Sequence, residues 1–283
     1  MREFARVGCA TTLAVALLAA VPATATAPLE LHVLDCGTMD GIETDAFLSE
    51  LPDPPAAFDM VNRCFLVVHP LGTLLWDVGF PRNASFTFMS WWLWLSSFGK
   101  SSVTMDRSVV EQLAELGYEP SDIDFLAVSH VHFDHIGEAN EFADSTWIVQ
   151  KAERDWAFSE DLDNPFVQPD LFEALAGAKT VELTGDHDVF GDGRVEILSS
   201  PGHTPGHQCL YLDLPETGPV VLSGDLYHST LNREHRLPPN FNVDAEQTRS
   251  SMERIEALVS ERGAQLWIQH SPDSGVQAPA VVR

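Results

Sequence analysis

The segment of residues 129–137 constrains this chain more than any other, because it places four metal-competent side chains within six residues. These side chains are His130, His132, Asp134 and His135. A strand predicted over residues 125–129 leads into them. Side chains on a strand repeat every second residue, so His130 and His132 would reach one ion, while the other two lie in the following turn near a second. The fold therefore has to close around a metal site.

Three further ligand candidates lie at or near the ends of predicted strands. His203 occurs in a loop rich in Gly and Pro, Asp225 follows a strand over residues 220–222, and His270 comes after a last strand over residues 265–269. A mononuclear site needs only three ligands and an open position, and the larger number of candidates favours two ions. Helical patterns cover residues 106–116, with Asp106 as the N-cap, and residues 244–262, with Gly263 as the end. Because they are interleaved with many strands, they predict an α/β layered domain.

Taken in order, these motifs resemble the metallo-β-lactamase superfamily, from about residue 31 to residue 270. The resemblance implies an αββα sandwich and a ligand set divided between two divalent ions. One ion would take His130, His132 and His203, the other would take Asp134, His135 and His270, and Asp225 would bridge both. Zinc is the favoured metal, with manganese, iron or cobalt as alternatives. Such a pair would lower the pKa of a bridging water and supply hydroxide.

The residues around Asp225 resemble the N-acyl homoserine lactonase branch of that superfamily. In that branch a tyrosine near the bridging aspartate hydrogen-bonds the substrate carbonyl. Tyr227 is the candidate here, with His228 as a partner in the role, and a packed aromatic with a satisfied hydroxyl is the alternative. Asp134 is the candidate that passes a proton to the leaving group. The resemblance implies opening of a lactone ring, with N-acyl homoserine lactone as the favoured substrate.

One position departs from the lactonase pattern. Those enzymes usually carry Asp directly after the last histidine, whereas Ser271 follows His270 here, and Asp273 is the nearest substitute. Loss of a carboxylate that supports a ligating histidine would lower the affinity for the second ion.

Other functions remain as alternatives. A glyoxalase II-like thioesterase, or another ester or β-lactam hydrolase of the same fold, would use a similar metal set. A non-catalytic metal-binding protein is the alternative from another class. The net charge of -26, from 16 Lys+Arg against 42 Asp+Glu, disfavours nucleic acid and anionic lipid surfaces as partners.

Residues 1–27 have the pattern of a signal peptide, with basic residues, a short apolar run and small residues before a cleavage site after Ala25 or Ala27. The apolar run is too short to span a bilayer, so no stable transmembrane span would remain after processing. Residues 28–283 then form a single catalytic domain, periplasmic or secreted.

The mature chain would keep three cysteines, Cys36, Cys64 and Cys209. Their odd number and apolar surroundings favour small buried thiols over a disulfide framework, with a Cys36–Cys64 bridge as the alternative.

Residues 80–98 are rich in Phe and Trp with hardly any charge. Packing or a homodimer interface is one interpretation of this apolar segment. An apolar wall for the acyl chain of a small ester or lactone is the functional interpretation, and interfacial membrane contact is the third.

Overall fold

A computed structural model describes Met1 and residues 28–82 and 102–283. Residues 2–27 of the predicted signal peptide and residues 83–98 of the apolar segment lie outside the described residues. Phe80, at the start of that segment, is described and is fully buried. Within the described ranges, no helix combines the length and hydropathy that crossing a bilayer requires.

The larger of two sheets is built mainly from the first two thirds of the chain. Its strands are β1 (Glu30–Glu43), β2 (Ala57–His69), β3 (Gly72–Trp76), β4 (Ser102–Thr104), β5 (Phe125–Ala127), β6 (Thr146–Gln150), β7 (Thr180–Leu183) and, from the end of the chain, β13 (Ala280–Val282). The order is β13-β1-β2-β3-β5-β6-β7, with β4 paired to β1. Pairing is antiparallel from β13 to β3 and parallel from β3 to β7.

The smaller sheet contains the later strands. They are β8 (His187–Asp188), β9 (Val195–Ser199), β10 (Gln208–Leu214), β11 (Gly218–Leu222) and β12 (Gln265–Trp267). Their order is β12-β11-β10-β9-β8. All pairs are antiparallel except β11 with β12.

Four α-helices are described, α1 (Val109–Glu115), α2 (Lys151–Ala157), α3 (Thr230–His235) and α4 (Ala245–Arg262). Apolar side chains of both sheets meet in one central cluster, where Trp76 of β3 is packed with Leu210 of β10. Leu113 of α1 belongs to a second cluster with larger-sheet residues, and Ile255 of α4 belongs to a third with smaller-sheet residues. The chain is therefore an α/β protein with the layers of an αββα sandwich, as predicted.

The helix ends show where local sequence decides structure. The predicted helix up to Arg262 is confirmed, since Asp244 accepts a hydrogen bond from Gln247 N and Gly263 ends α4 at a φ of 62°. The expected cap of α1 at Asp106 is wrong. Ser108 Oγ accepts from Glu111 N while the Glu111 carboxylate accepts from Ser108 N, so this reciprocal pair starts the helix at Val109.

The prediction for two of the cysteines is also wrong. Cys36 of β1 and Cys64 of β2 form a disulfide with a Cα–Cα distance of 5.9 Å. The pairing of β1 with β2 shifts register between Asp35 and Thr38, and Cys36 lies in the stretch where the shift occurs. Sequence spacing alone does not reveal such a shift. Cys209 is a buried free thiol, as predicted, and burial raises its pKa to about 12.

Candidate metal centre

The histidine-rich segment is a loop, and this corrects the expectation that a strand carries its first histidines. The parallel strand β5 ends at Ala127. Beyond β5, backbone N–H groups donate to side chains instead of to a neighbouring strand. The Asp77 carboxylate accepts from Ser129 N at 2.6 Å, and the Glu153 carboxylate accepts from Val131 N at 2.9 Å. Buried carboxylates thus hold the loop in the shape that aims its ligands inward.

The first ligand cluster joins this loop to two others. It comprises His130, His132, His203 and Asp225, all buried. Nε2 of His203 lies 3.2 Å from Nε2 of His130 and 3.1 Å from Nδ1 of His132. His203 lies between β9 and β10, and Asp225 follows β11, so both sheets contribute to the cluster.

The second ligand cluster comprises Asp134, His135 and His270, again all buried. Nε2 of His135 lies 3.1 Å from Nε2 of His270, and both nitrogens are 3.6 Å from Asp134 Oδ2. Asp225 reaches this cluster with its other oxygen, because Oδ1 is 3.0 Å from His270 Nε2 whereas Oδ2 is 3.4 Å from His203 Nε2. The structure therefore brings all seven predicted ligands together, with Asp225 between the clusters.

The outer nitrogens of the histidines are held by neighbouring groups. Nδ1 of His135 lies 2.9 Å from Asp77 Oδ2, Nδ1 of His203 lies 2.8 Å from Asn242 Oδ1, and Nδ1 of His270 lies 2.9 Å from the Val61 carbonyl. Each of these acceptors fixes the proton on Nδ1 and leaves the Nε2 lone pair facing inward. This is the arrangement that orients metal-ligating histidines.

The residues present fit two divalent ions. Several inward nitrogens face one another rather than a hydrogen-bond acceptor, and buried Asp225 Oδ1 makes no hydrogen bond although two imidazole nitrogens approach it. Buried polar atoms without partners are costly, so such a set calls for a ligand of its own. Imidazole and carboxylate donors suit zinc and other first-row divalent metals.

Electrostatics prepares the same set for a cation. Burial lowers the pKa of His132 to about 3 and also lowers the pKa of His130 and His203, which keeps these three rings in the neutral form that binds metal. Burial opposes ionisation of Asp225, but the surrounding histidines, His135 first, outweigh it and hold the pKa of Asp225 well below its usual range. The bridging position therefore carries a negative charge.

A cleft opens onto both clusters. Four ligands form part of its wall, and the rest is mainly apolar. The lining residues are Met39, Phe47, Met60, His132, Phe133, Asp134, Phe166, Asp225, His228, Phe241 and His270. Phe80 packs against Phe133 with ring centroids 5.8 Å apart, so the described start of the apolar segment lies behind this wall.

Tyr227, a predicted catalytic residue, does not reach the cleft. Its side chain is fully buried in the cluster with Ile255 of α4, and its hydroxyl donates to Glu256 Oε1 at 3.2 Å. The backbone at Tyr227 is extended, and neighbouring side chains of an extended chain point to opposite sides. His228 is therefore the member of the pair that faces the cleft, and the packed-aromatic interpretation describes Tyr227.

Neighbouring groups also hold the ligands His270 and Asp225 in place. Asp273 does not replace the carboxylate absent after His270, since it lines a separate surface groove with Arg233 and Glu256, and the Val61 carbonyl supports His270 instead. His207 lies outside both ligand clusters. Its Nε2 accepts from Asp225 N at 3.0 Å, so it positions the backbone of the shared ligand.

Asp77 and Glu153 are the functional residues that the sequence did not reveal. Asp77 is fully buried at a φ of 59° and also accepts from Ser129 Oγ and Gln269 Nε2. The one available signal was a carboxylate placed directly after the apolar strand β3. Glu153 carries no such signal, because it occurs on α2 among other charged residues.

A sequence model of the metallo-beta-lactamase superfamily matches residues 58–262. The chain belongs to this superfamily. Among its curated relatives within the superfamily, an N-acyl homoserine lactonase of Bacillus sp is 32% identical over 222 residues, covering 77% of this chain and 84% of the relative. The N-acyl homoserine lactonase AttM of Azorhizobium caulinodans is 29% identical over 226 residues, covering 77% and 85%.

Solved structures of the superfamily show the same likeness. An N-acyl homoserine lactone hydrolase, solved with the product N-hexanoyl-L-homoserine at its catalytic metal centre, superposes with a TM-score of 0.74 at 25% identity, covering 90% of this chain and 99% of that one. AidC, a dizinc quorum-quenching lactonase, has a TM-score of 0.63 at 19% identity, covering 90% and 93%, and shows the shared fold.

Proposed function

We propose that this chain is a metal-dependent lactonase with two divalent ions, preferably zinc, that opens the ring of N-acyl homoserine lactones. One observation carries the proposal: two ligand clusters that share Asp225 lie at the base of a cleft walled by Phe47, Phe133, Phe166 and Phe241. The ions supply Lewis acidity and a hydroxide nucleophile near neutral pH when bound. The names of the relatives point to the same substrate class.

The residues of the chain divide the work. The phenylalanine wall binds an apolar acyl chain and excludes water from the ring carbonyl. Asp134, whose side chain is more exposed than that of Asp225 (11% against 5%), faces the cleft. Its Oδ2 accepts the proton that the attacking water gives up and passes it to the ring oxygen as the acyl–oxygen bond breaks. Water is consumed, and the product is the ring-opened N-acyl homoserine.

The test measures metal content and turnover of the purified enzyme on N-hexanoyl homoserine lactone, a simple γ-lactone, a cephalosporin and a glutathione thioester. We expect about two ions per chain and turnover selective for lactones. Asp225→Asn should lower kcat/KM by at least about a hundredfold, because it removes the charge shared by both clusters. Asp213→Asn, at an exposed position on β10, is the matched control. Selective thioester or cephalosporin turnover, or full activity in Asp225→Asn with both ions bound, would contradict the proposal.

Export to the periplasm or the medium is part of the same proposal. The signal pattern of residues 1–27 supports it, and so does the Cys36–Cys64 disulfide, since disulfides persist in oxidising compartments. The intact mass of the mature protein should correspond to a chain that begins at Thr26 or Pro28. A full-length chain recovered from the cytosol would contradict export.

A further inference from the structure

One polar side chain in the described wall of the cleft belongs to neither ligand cluster. Beside four ligands and six apolar residues, the lining contains His228. Its side chain is only 3% exposed. A polar group that is buried in an apolar wall costs free energy unless a partner reaches it. The position therefore calls for a partner that enters with the substrate.

The surroundings of His228 fix which nitrogen is free. Nε2 lies 3.0 Å from Asp225 Oδ2. A carboxylate only accepts hydrogen bonds, so Nε2 carries the proton and Nδ1 presents a lone pair. Among the described residues, Nδ1 is buried and has no hydrogen-bond partner. Nδ1 is thus an acceptor without a partner in a residue that lines the cleft.

Aromatic packing keeps the ring in this orientation. Phe47 and Phe241 meet the imidazole edge to face, with ring centroids 5.1 Å and 5.7 Å away. These two side chains also contact each other, with centroids 5.1 Å apart. These contacts restrict rotation of the ring, so the acceptor stays in place for the substrate.

We propose that His228 Nδ1 accepts a hydrogen bond from the amide N–H beside the lactone ring, and thereby selects N-acyl amino lactones over plain lactones. The inference rests on the proposed lactonase function. In such a substrate the amide nitrogen is two bonds from the ring carbonyl carbon. When the ring carbonyl is held next to Asp225, the amide N–H therefore lies close to the residues beside Asp225 in the wall. Of these, His228 is the polar one that belongs to neither ligand cluster.

The experiment compares two lactones of equal length, N-hexanoyl homoserine lactone and its analogue with CH2 in place of the amide N–H. The wild-type enzyme should hydrolyse the amide with a kcat/KM roughly tenfold higher, because the analogue leaves Nδ1 without a partner. His228→Phe should lose that preference, with most of the fall on the amide substrate. His228→Gln, which restores an acceptor oxygen, should recover part of it.

His235→Phe, the same change at an exposed histidine of α3, is the matched control and should keep the wild-type preference. Metal content is measured for every variant. Equal hydrolysis of the two lactones by the wild-type enzyme, or an equal fall on both in His228→Phe, would overturn the role of His228 and leave the lactonase function standing. Failure of the wild-type enzyme on both lactones would overturn the function and this inference with it.

Discussion

Glu153 shows how one buried residue holds two parts of the metal centre. Its carboxylate accepts from Val131 N at 2.9 Å and from Gly206 N at 2.8 Å, which joins the loop of His130 to the loop of His203. A Cβ on Gly206 would lie 2.4 Å from Glu153 N, so only glycine allows this close approach. Two of the three ligand loops of the first cluster therefore depend on one carboxylate.

Burial raises the pKa of Glu153 from 4.5 to about 7. The folded state therefore binds this proton more tightly than the unfolded state, and the resulting stability, present below pH 4.5, is lost as the pH rises to about 7. In metal-free protein, we expect the free energy of unfolding of the wild type, relative to Glu153→Gln, to fall by up to about 3 kcal/mol over that range. Urea unfolding at constant ionic strength measures it, and parallel pH curves for the two proteins would contradict it.

The metal ligands were predictable from the sequence where several of them lie close together. His130, His132 and His135 fall so close together that metal binding is the natural interpretation. Asp77 and Glu153 hold the backbone of the histidine loop at Ser129 and Val131, across 52 and 22 residues of sequence. A lone acidic residue gives no sign of a contact at such a distance. The choice between Tyr227 and His228 depended on which face of an extended chain turns inward.

At the scale of elements, strands β1 and β2 show a constraint that composition did not indicate. The disulfide ties them directly beside the turn that carries Asp77, since a Cβ on Gly79 would lie 2.8 Å from Cys36 Cβ. Gly79 in turn accepts a hydrogen bond from Gly137 N, just after the histidine loop. The disulfide thus packs against the turn whose residues Asp77 and Gly79 hold the loop of the second ligand cluster.

The paired variant Cys36→Ala with Cys64→Ala should lower the free energy of unfolding by about 3–4 kcal/mol, because the bridge closes a loop of 28 residues in the unfolded chain. Urea unfolding with and without a phosphine reductant measures this. The reductant should destabilise the wild type and leave the paired variant unchanged, while Cys209→Ala should respond to the reductant as the wild type does. Equal stability of the oxidised wild type and the paired variant would contradict a structural bridge.

Element types were more predictable than element ends. Apolar runs gave most of the strands, and Gly263 marked the end of α4. The early end of β5 was not predictable. Asp77, directly after β3, and Glu153 of α2 accept hydrogen bonds from the backbone N–H groups that would otherwise extend the strand. The cap of α1 followed from a reciprocal Ser108–Glu111 pair that a nearby Asp106 obscured.

At the scale of the whole molecule, the metal centre connects the two sheets. His130 follows β5 of the larger sheet, whereas Asp225 and His270 follow β11 and β12 of the smaller one. The sandwich itself was predictable from the order of the motifs. The pairing of the first strand with the last, Leu31 opposite Val282, was not, because neither sequence marks the other as its partner.

Removing the ions should therefore destabilise the whole domain. A ligand present at a thousand times its Kd contributes about 4 kcal/mol per site, so dialysis against a chelator should lower Tm by several degrees while the far-ultraviolet circular dichroism keeps its shape. Zinc should restore Tm and magnesium should not, since magnesium prefers oxygen ligands. An unchanged Tm after verified metal loss would contradict a cross-linking role.

The distribution of the ligands along the chain also sets the timing of maturation. His270 lies 135 residues after His135, its partner in the second cluster, and Asp225 is shared by both clusters. In a growing chain the first cluster is therefore complete only once Asp225 has been made, and the second only once His270 has been made. We therefore expect metal insertion to be a late step of biogenesis, so that the ions present where the chain finishes folding decide which metal it carries.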